Sequence, residues 1–357
     1  MTINATQGRL IVRTLAITIG VLLLVAPFLF PAVRSLEVAA RICVFIALVA
    51  SYDLLIGYTG IVSFAHTLFF GLGAYGCAIG LKQMGPSWDS VLVGGAIGVL
   101  VAILLAFLIG LLSLRVKAIF FAMVTLAVAS VAMVLANQFS GYTGGEDGLT
   151  YRVPELFKTA TKVMTDESGR VIKVLGVKLN GKLAAYYFVF SVCLLLFLLM
   201  LRLTISPLGR VLFSIRENEL RAEAIGYRVV AYRTFVFSFA AAIAAIVGVV
   251  YAIWLKYTGP ETSLSLTIMI DILLMVVIGG MGTLWGAVLG ATVLVLAQYY
   301  LRDVMSAGVS LTADLPILPI ILNPDHWLLW LGLVFILLVY SFPAGLAGTL
   351  IYRQEGD

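Results

Sequence analysis

Runs of about 20 apolar residues recur along the whole chain, and each is long enough to cross about 30 Å of hydrocarbon as a helix. The composition agrees, because 62% of the 357 residues are hydrophobic and 11% are charged, with a mean hydropathy of +1.10. A soluble domain needs more charge than this to cover its surface. A membrane β-barrel would instead show alternating segments of about 10 residues. The sequence therefore predicts an all-α, polytopic membrane protein.

We predict about ten crossings, or about eight or nine if the glycine-containing turns near Gly57 and Gly282 mark broken or re-entrant helices. With both termini inside, most arginines flank cytoplasmic helix ends. Residues 1–357 then form a single transmembrane domain, with a periplasmic loop at 139–182 and a cytoplasmic segment at 204–230. Alternating valines and glycines between 163 and 181 predict a small β-hairpin in that loop. The predicted spans are 14–30, 37–57, 60–81, 91–114, 118–138, 183–203, 231–255, 266–282, 283–301 and 326–346.

The densest charge in the chain lies between two apolar runs, where six arginines and three glutamates fall between Arg202 and Arg233. Apolar residues at helical spacing give this segment an amphipathic character, and Gly226 ends it as a C-cap would. Its mixed charge favours a protein partner over an anionic lipid surface, although an ordinary charged surface helix is the alternative. The residues that we expect to serve the partner contact are Arg210, Arg216, Glu217, Glu219, Arg221 and Gly226.

Polar residues near the apolar helices are few, and two groups are candidates for a transport pathway. Ser63 and His66 follow a glycine break, where an interhelical hydrogen bond is the alternative role for His66. A glycine-rich polar turn follows the run that ends near residue 138, and it could equally be an ordinary loop. This turn comprises Thr143, Gly144, Gly145, Glu146 and Asp147. We expect both groups to face a common cavity, with Asp53 supporting the first group and Asp271 taking no part in proton transfer.

Gly282, Gly286 and Gly290 lie on one helix face and predict close helix packing, or else a subunit interface. The segments 56–60 and 278–282 both read I-G-x-x-G between apolar runs, which suggests a faint internal repeat. Duplicated transporters place glycine breaks at matching positions of their two halves. With 34 glycines in the chain, chance is a serious alternative.

Several function classes are excluded by what the sequence lacks. Residues 71–76 match GxGxxG but lie inside an apolar run, without the strand or the acidic residue that dinucleotide binding needs. No P-loop motif is present, so the chain cannot bind ATP in that way. With two histidines and scattered carboxylates we expect no metal site, no cofactor and no catalytic residues. The net charge of +5 is spread over loops, which does not suit nucleic acid.

Four blocks of sequence resemble the permeases of ABC importers for branched-chain amino acids and related small amides, the LivH/LivM group, and within it the LivM type. Two departures affect the ligand: Asp53 stands where an asparagine or similar residue is usual, and Ser-Phe-Ala-His replaces the usual Ser-Leu-Gly-His at 63–66. Residues 151–182 are not shared. The blocks that carry the resemblance are 53–75, 143–149, 206–226 and 279–290.

The resemblance implies a permease in the bacterial inner membrane that acts with several partners. These are a second permease of the LivH type, two cytoplasmic ATP-binding subunits and a periplasmic substrate-binding protein. Segment 206–226 would then dock on an ATPase. Branched-chain amino acids are the leading substrates, with urea and short amides as alternatives. A self-sufficient ion-coupled transporter is the rival mechanism, for which only Asp53 and Asp271 could supply an intramembrane coupling group.

Overall fold

The computed structural model describes residues 5–30, 32–113, 118–158, 161, 173–174, 177–178, 180–311 and 323–352. Helices dominate them: α1 (Ala5–Leu29), α2 (Val33–Thr59), α3 (His66–Met84), α4 (Trp88–Ser113), α5 (Ala118–Gln138), α6 (Ser140–Thr143), α7 (Gly181–Ile205), α8 (Pro207–Glu217), α9 (Glu219–Ala224), α10 (Val229–Leu255), α11 (Pro260–Ser263), α12 (Leu266–Gly279), α13 (Leu284–Leu311), α14 (Trp327–Ser341) and α15 (Gly345–Tyr352). The strands are β1 (Leu149–Thr150), β2 (Lys173–Val174), β3 (Val177–Lys178) and β4 (Tyr257–Thr258).

Within these residues, nine helices are long and apolar enough to cross a membrane. The prediction of a polytopic all-α membrane protein is therefore confirmed. The predicted span at 60–81 corresponds to α3, which starts six residues later and is not among the nine. Its hydropathy is reduced by polar residues at both ends, such as His66 and Lys82, and by its four glycines.

The described chain divides into two compact units. The larger unit comprises residues 22–272, and its core is formed by α2, α3, α4 and α10, which pack against one another. Glycine allows α3 and α10 to approach backbone to backbone. A Cβ atom added at Gly73 would lie 1.9 Å from the carbonyl oxygen of Ala245, and one at Gly248 would lie 2.0 Å from that of Phe70. These two helices therefore have little room to slide independently.

The smaller unit comprises residues up to 21 together with those from 273 onwards. Val12, Leu289 and Ala347 form its buried cluster, so α13 and α15 pack with part of α1. The I-G-x-x-G segment here ends α12 at Gly279 and continues through Gly280 and Gly282, both at positive φ. Its counterpart ends α2, where Gly60 has a φ of 71°. Both segments are thus helix breaks.

Short antiparallel strand pairs lie outside the long helices. β2 pairs with β3, which confirms a hairpin within the range predicted for it. Residues 163–172, 175–176 and 179 of that range lie outside the described residues. β1 pairs with β4, so Leu149 lies opposite Thr258. Because β4 directly follows α10, this second pair joins the loop after α5 to the end of α10.

The charged segment between α7 and α10 consists of two helices, α8 and α9, where the sequence suggested one. Asn218 separates them in an extended conformation, and its side-chain oxygen accepts a hydrogen bond from the N–H of Arg221 at 2.9 Å. Asparagine competes well for this capping role, which explains the interruption. Ile215, Ala222 and Val229 form one buried cluster, so α8, α9 and the start of α10 pack together. Gly226 follows α9 with a φ of 101°.

Candidate functional site

Residues 60–65 form a non-helical stretch between α2 and α3, which we call the break. The break begins where Gly60 adopts left-handed φ and its N–H bonds to the carbonyl of Leu55. Ile61 also donates to Leu55 O, at 3.1 Å. In a continuing helix the N–H of Ile61 would bond to the carbonyl of Gly57. The turn therefore leaves the Gly57 carbonyl in need of another donor.

His66, the first residue of α3, is fully buried and hydrogen-bonded to α2. Its Nε2 lies 2.8 Å from Ser51 Oγ. The Ser51 hydroxyl donates to Leu48 O at 2.7 Å, so the imidazole Nε2 is the donor to Ser51. The Tyr52 ring centroid lies 5.3 Å from that of His66. Ser51 precedes Thr59 by eight residues, or about 12 Å along the helix. The break therefore runs back alongside α2 before α3 begins.

Ser63 and the remainder of the break are held by α5 and by local hydrogen bonds. The Ser63 hydroxyl oxygen accepts from Ala65 N at 3.2 Å. Phe64 N donates to Thr125 Oγ1 on α5 at 3.0 Å, and the Thr125 hydroxyl donates to Ala122 O. Ser51 and Thr125 are contacts that sequence reasoning missed, because single hydroxyl residues in apolar runs carry no spacing signal.

The second candidate group forms a tight turn at the end of α5. Gly144 and Gly145 have positive φ values of 78° and 62°, which favour glycine at both positions. The Thr143 hydroxyl donates to Phe139 O at 2.8 Å and accepts from Gly145 N at 3.2 Å. The side chains of Glu146 and Asp147 are exposed. We refer to residues 143–148 as the glycine turn.

The glycine turn is tied to the residues that follow α10. Tyr257 donates its hydroxyl to the main-chain oxygen of Asp147 at 3.1 Å. Tyr151 donates to Ala252 O at 2.9 Å and accepts from the Thr258 hydroxyl at 2.8 Å. Burial raises the pKa of Tyr151 well above its ordinary value, so this hydroxyl remains a donor at neutral pH.

Helix α3 contacts the surroundings of both candidate groups, and a common cavity for them stays a prediction. Its first residue is His66, which lies against α2, and its body contacts α6 and β1 beside the glycine turn. Asp53 is buried on α2, two residues after Ser51, whereas Asp271 on α12 is only half-buried.

All six residues predicted to contact a partner are exposed, and two of them also contact neighbouring parts of the chain. Arg210, Glu217 and Arg221 have exposed side chains. Glu219 and Arg216 are exposed as well, but Glu219 forms an ion pair with Arg233 at 2.7 Å, and Arg216 donates from Nη1 to Gly57 O. An open cleft of about 340 Å³ separates α8 from the end of α2. Its lining residues are Tyr58, Thr204, Gly209, Arg210, Phe213, Ser214 and Glu217.

In the smaller unit, the turn between α12 and α13 brings glycines close to backbone atoms. A Cβ atom at Gly286 would lie 2.6 Å from Gly279 O, and one at Gly290 would lie 1.9 Å from Met275 O. Gly282 lies in the turn itself, with a φ of 85°. Among the described residues, no three His, Cys, Asp or Glu side chains are grouped as metal ligands.

Comparison with known proteins identifies the family. The family of the branched-chain amino acid transport system / permease component matches residues 35–339. The high-affinity branched-chain amino acid transport system permease protein LivM of Salmonella typhimurium is 27% identical over 299 residues, which cover 82% of this chain and 69% of that protein. Its Escherichia coli namesake is 26% identical over the same coverage.

A third relative, the probable branched-chain amino acid transport permease protein LivM of Methanocaldococcus jannaschii, is 28% identical over 172 residues, or 47% of this chain and 48% of the relative. No solved structure matches significantly. Because the family match extends over most of the chain and the described helices suit a multi-pass membrane protein, the chain belongs to the permease components of branched-chain amino acid transport systems.

Proposed function

We propose that the chain is one membrane-spanning subunit of an ATP-driven importer for branched-chain amino acids in a bacterial inner membrane. A second permease of the LivH type lies beside it, two ATP-binding subunits dock on its cytoplasmic side, and a periplasmic binding protein delivers substrate. The names of the three relatives support the substrate class. The observation that carries the proposal is the surface presented by α8 and α9.

This surface combines exposed apolar side chains with charges of both signs. Leu220 is 78% exposed and Ile225 is 70% exposed, although both lie outside the long apolar helices. Arg210, Glu217 and Arg221 on the same two helices are exposed too. Exposed apolar side chains combined with charges are typical of a protein interface. We therefore assign α8 and α9 to ATPase docking.

The substrate pathway, in this proposal, runs along α3 between the break and the glycine turn. An amino acid with an aliphatic side chain needs a mostly apolar route with few polar contacts, so that it is released rather than held. Ser63 and His66 supply such contacts at one end of α3, and residues 143–147 supply them near its body. Ser63 and His66 are fully buried here, so passage requires the break to move.

The first test is whether uptake depends on the ATPase. Vesicles containing both permeases, the ATPases and the binding protein should accumulate labelled leucine only with ATP, and should continue after the proton gradient is collapsed. Glu217→Arg should lower uptake because it reverses an exposed charge on the docking surface, while the chain remains inserted. Arg202→Glu, at the exposed end of α7, is the matched control. Uptake by the permeases without ATPase, or its loss when the gradient collapses, would refute the importer assignment.

A further inference from the structure

We infer that Arg216 is a positioning residue rather than a residue that contacts the ATPase. Through it, α8 and α9, which we call the docking segment, control the break between α2 and α3. This inference rests on the proposed function and extends it to a specific contact within the chain. It starts from the direction of the Arg216 side chain: Nη1 donates to the main-chain oxygen of Gly57.

The carbonyl that Arg216 reaches is one that the break leaves without its helical donor. Ile61, four residues after Gly57, gives its N–H to Leu55 O instead. The guanidinium therefore replaces a backbone donor in the last turn of α2. Its positive charge also lies at the negative end of the α2 dipole, where a cation is stabilising. Both effects favour the turned conformation of residues 57–61.

The stem of Arg216 packs on the same turn. A Cβ atom at Gly60 would lie 3.6 Å from Arg216 Cγ, so the aliphatic part of the arginine lies over the first residue of the break and a side chain there would touch it. Only glycine adopts the φ of 71° found at Gly60 without strain. Arg216 thus lies beside the start of the break with its methylene groups and bonds with its guanidinium to the last turn of α2.

The rest of α8 lies close to α2 without filling the space between them. The cleft of about 340 Å³ is lined by Phe213 and Glu217 of α8 and by Tyr58 of α2. Arg216 therefore provides a polar connection between α8 and α2 beside an open cleft. Glu219 makes the corresponding connection to α10 through its ion pair with Arg233.

The far end of the break is anchored independently of the docking segment. Phe64 is bonded to Thr125, and His66 is bonded to Ser51. A displacement of Arg216 would therefore act on the turn at 57–61 while residues 64–66 are held by α5 and α2. We therefore expect residues 57–61, which include the start of the break, to respond to a movement of α8.

The experiment uses the complete reconstituted complex with Arg216→Ala, Arg216→Lys and Arg202→Ala. Uptake, ATP hydrolysis and copurification of the ATPase are measured on each. Arg216→Ala should lower leucine uptake about tenfold, a typical size for a lost coupling, while the ATPase stays bound and hydrolyses ATP. Arg216→Lys should recover part of the uptake, because a single ammonium donor can serve one carbonyl. Arg202→Ala should behave as wild type.

A reporter cysteine at Val62 measures the break directly. The native Cys43, Cys77 and Cys193 are buried, and the parent chain provides their background labelling. In the Val62→Cys complex, thiol labelling should differ between the nucleotide-free and the vanadate-trapped states. Adding Arg216→Ala should abolish that difference, which a purely structural loss of stability would not do.

Three outcomes would overturn the inference. Full uptake by Arg216→Ala would show that the contact is dispensable. Loss of ATPase copurification would make Arg216 a docking residue, and a nucleotide response at residue 62 that survives Arg216→Ala would show that the signal takes another route. Failure of the proposed function would appear separately, as a wild-type complex that imports leucine without ATP.

Discussion

At the residue scale, the hydrogen bond between His66 and Ser51 holds the start of α3 against α2. Both side chains are fully buried, and Ser51 already donates to Leu48 O. The sequence singled out His66 as a rare histidine in an apolar region and offered an interhelical hydrogen bond as one of its roles. It could not identify Ser51, because a single serine inside a long apolar run has no distinguishing pattern.

His66→Ala should lower the free energy of unfolding by about 2–3 kcal/mol, because it removes a buried ring and its hydrogen bond. Ser51→Ala should cost less, since only a hydroxyl is lost. In a double-mutant cycle, the coupling between the two should be about 1 kcal/mol. Denaturation titrations of the detergent-solubilised chain measure all four variants. Additive effects would show that the hydrogen bond contributes nothing to stability.

At the element scale, the sequence predicted the presence of the long helices better than the residues at which they begin and end. The span predicted at 283–301 corresponds to α13, which extends to Leu311. The docking segment was read as one helix because its apolar stripe continues across Asn218, but the side chain of Asn218 caps a second helix there. Caps of this kind depend on a local competition between hydrogen bonds, which periodicity does not reveal.

Gly286→Leu should destabilise the chain by about 1–3 kcal/mol, the usual cost of overpacking. A Cβ atom there would lie 2.5 Å from Thr283 Oγ1 and 2.6 Å from Gly279 O, so the α12–α13 turn would have to open. Gly332→Leu on α14 is the matched control, because a Cβ atom at Gly332 has nothing within 4 Å. Yield of folded protein and thermal stability are the measurements. Equal behaviour of the two variants would show that the α12–α13 contact is not tight.

At the scale of the whole molecule, the sequence predicted the membrane class, the order of the long helices and the charged segment, because each has a strong local signal. It did not predict which loops would be connected by strand pairing and hydrogen bonds. α10 is a single helix of 27 residues that starts beside α8 and α9 and ends at β4. Through the pairing of β4 with β1, it links the docking segment to the glycine turn. These contacts connect residues more than 100 positions apart, for example Tyr151 and Ala252.

Tyr151→Phe should weaken the connection between β1 and the end of α10. It should leave no cavity, because the ring is retained and only the hydroxyl is lost. The Ala252 carbonyl and the Thr258 hydroxyl each lose a buried partner, which should cost about 1–2 kcal/mol. We expect faster amide hydrogen exchange at residues 149–151 and 257–258, and slower leucine uptake. Binding of the ATPase should be unchanged, because the docking segment lies at the other end of α10. Tyr142→Phe is the matched control, because Tyr142 is exposed. Unchanged exchange at the β1–β4 pair in Tyr151→Phe would show that the strands alone hold the glycine turn to α10.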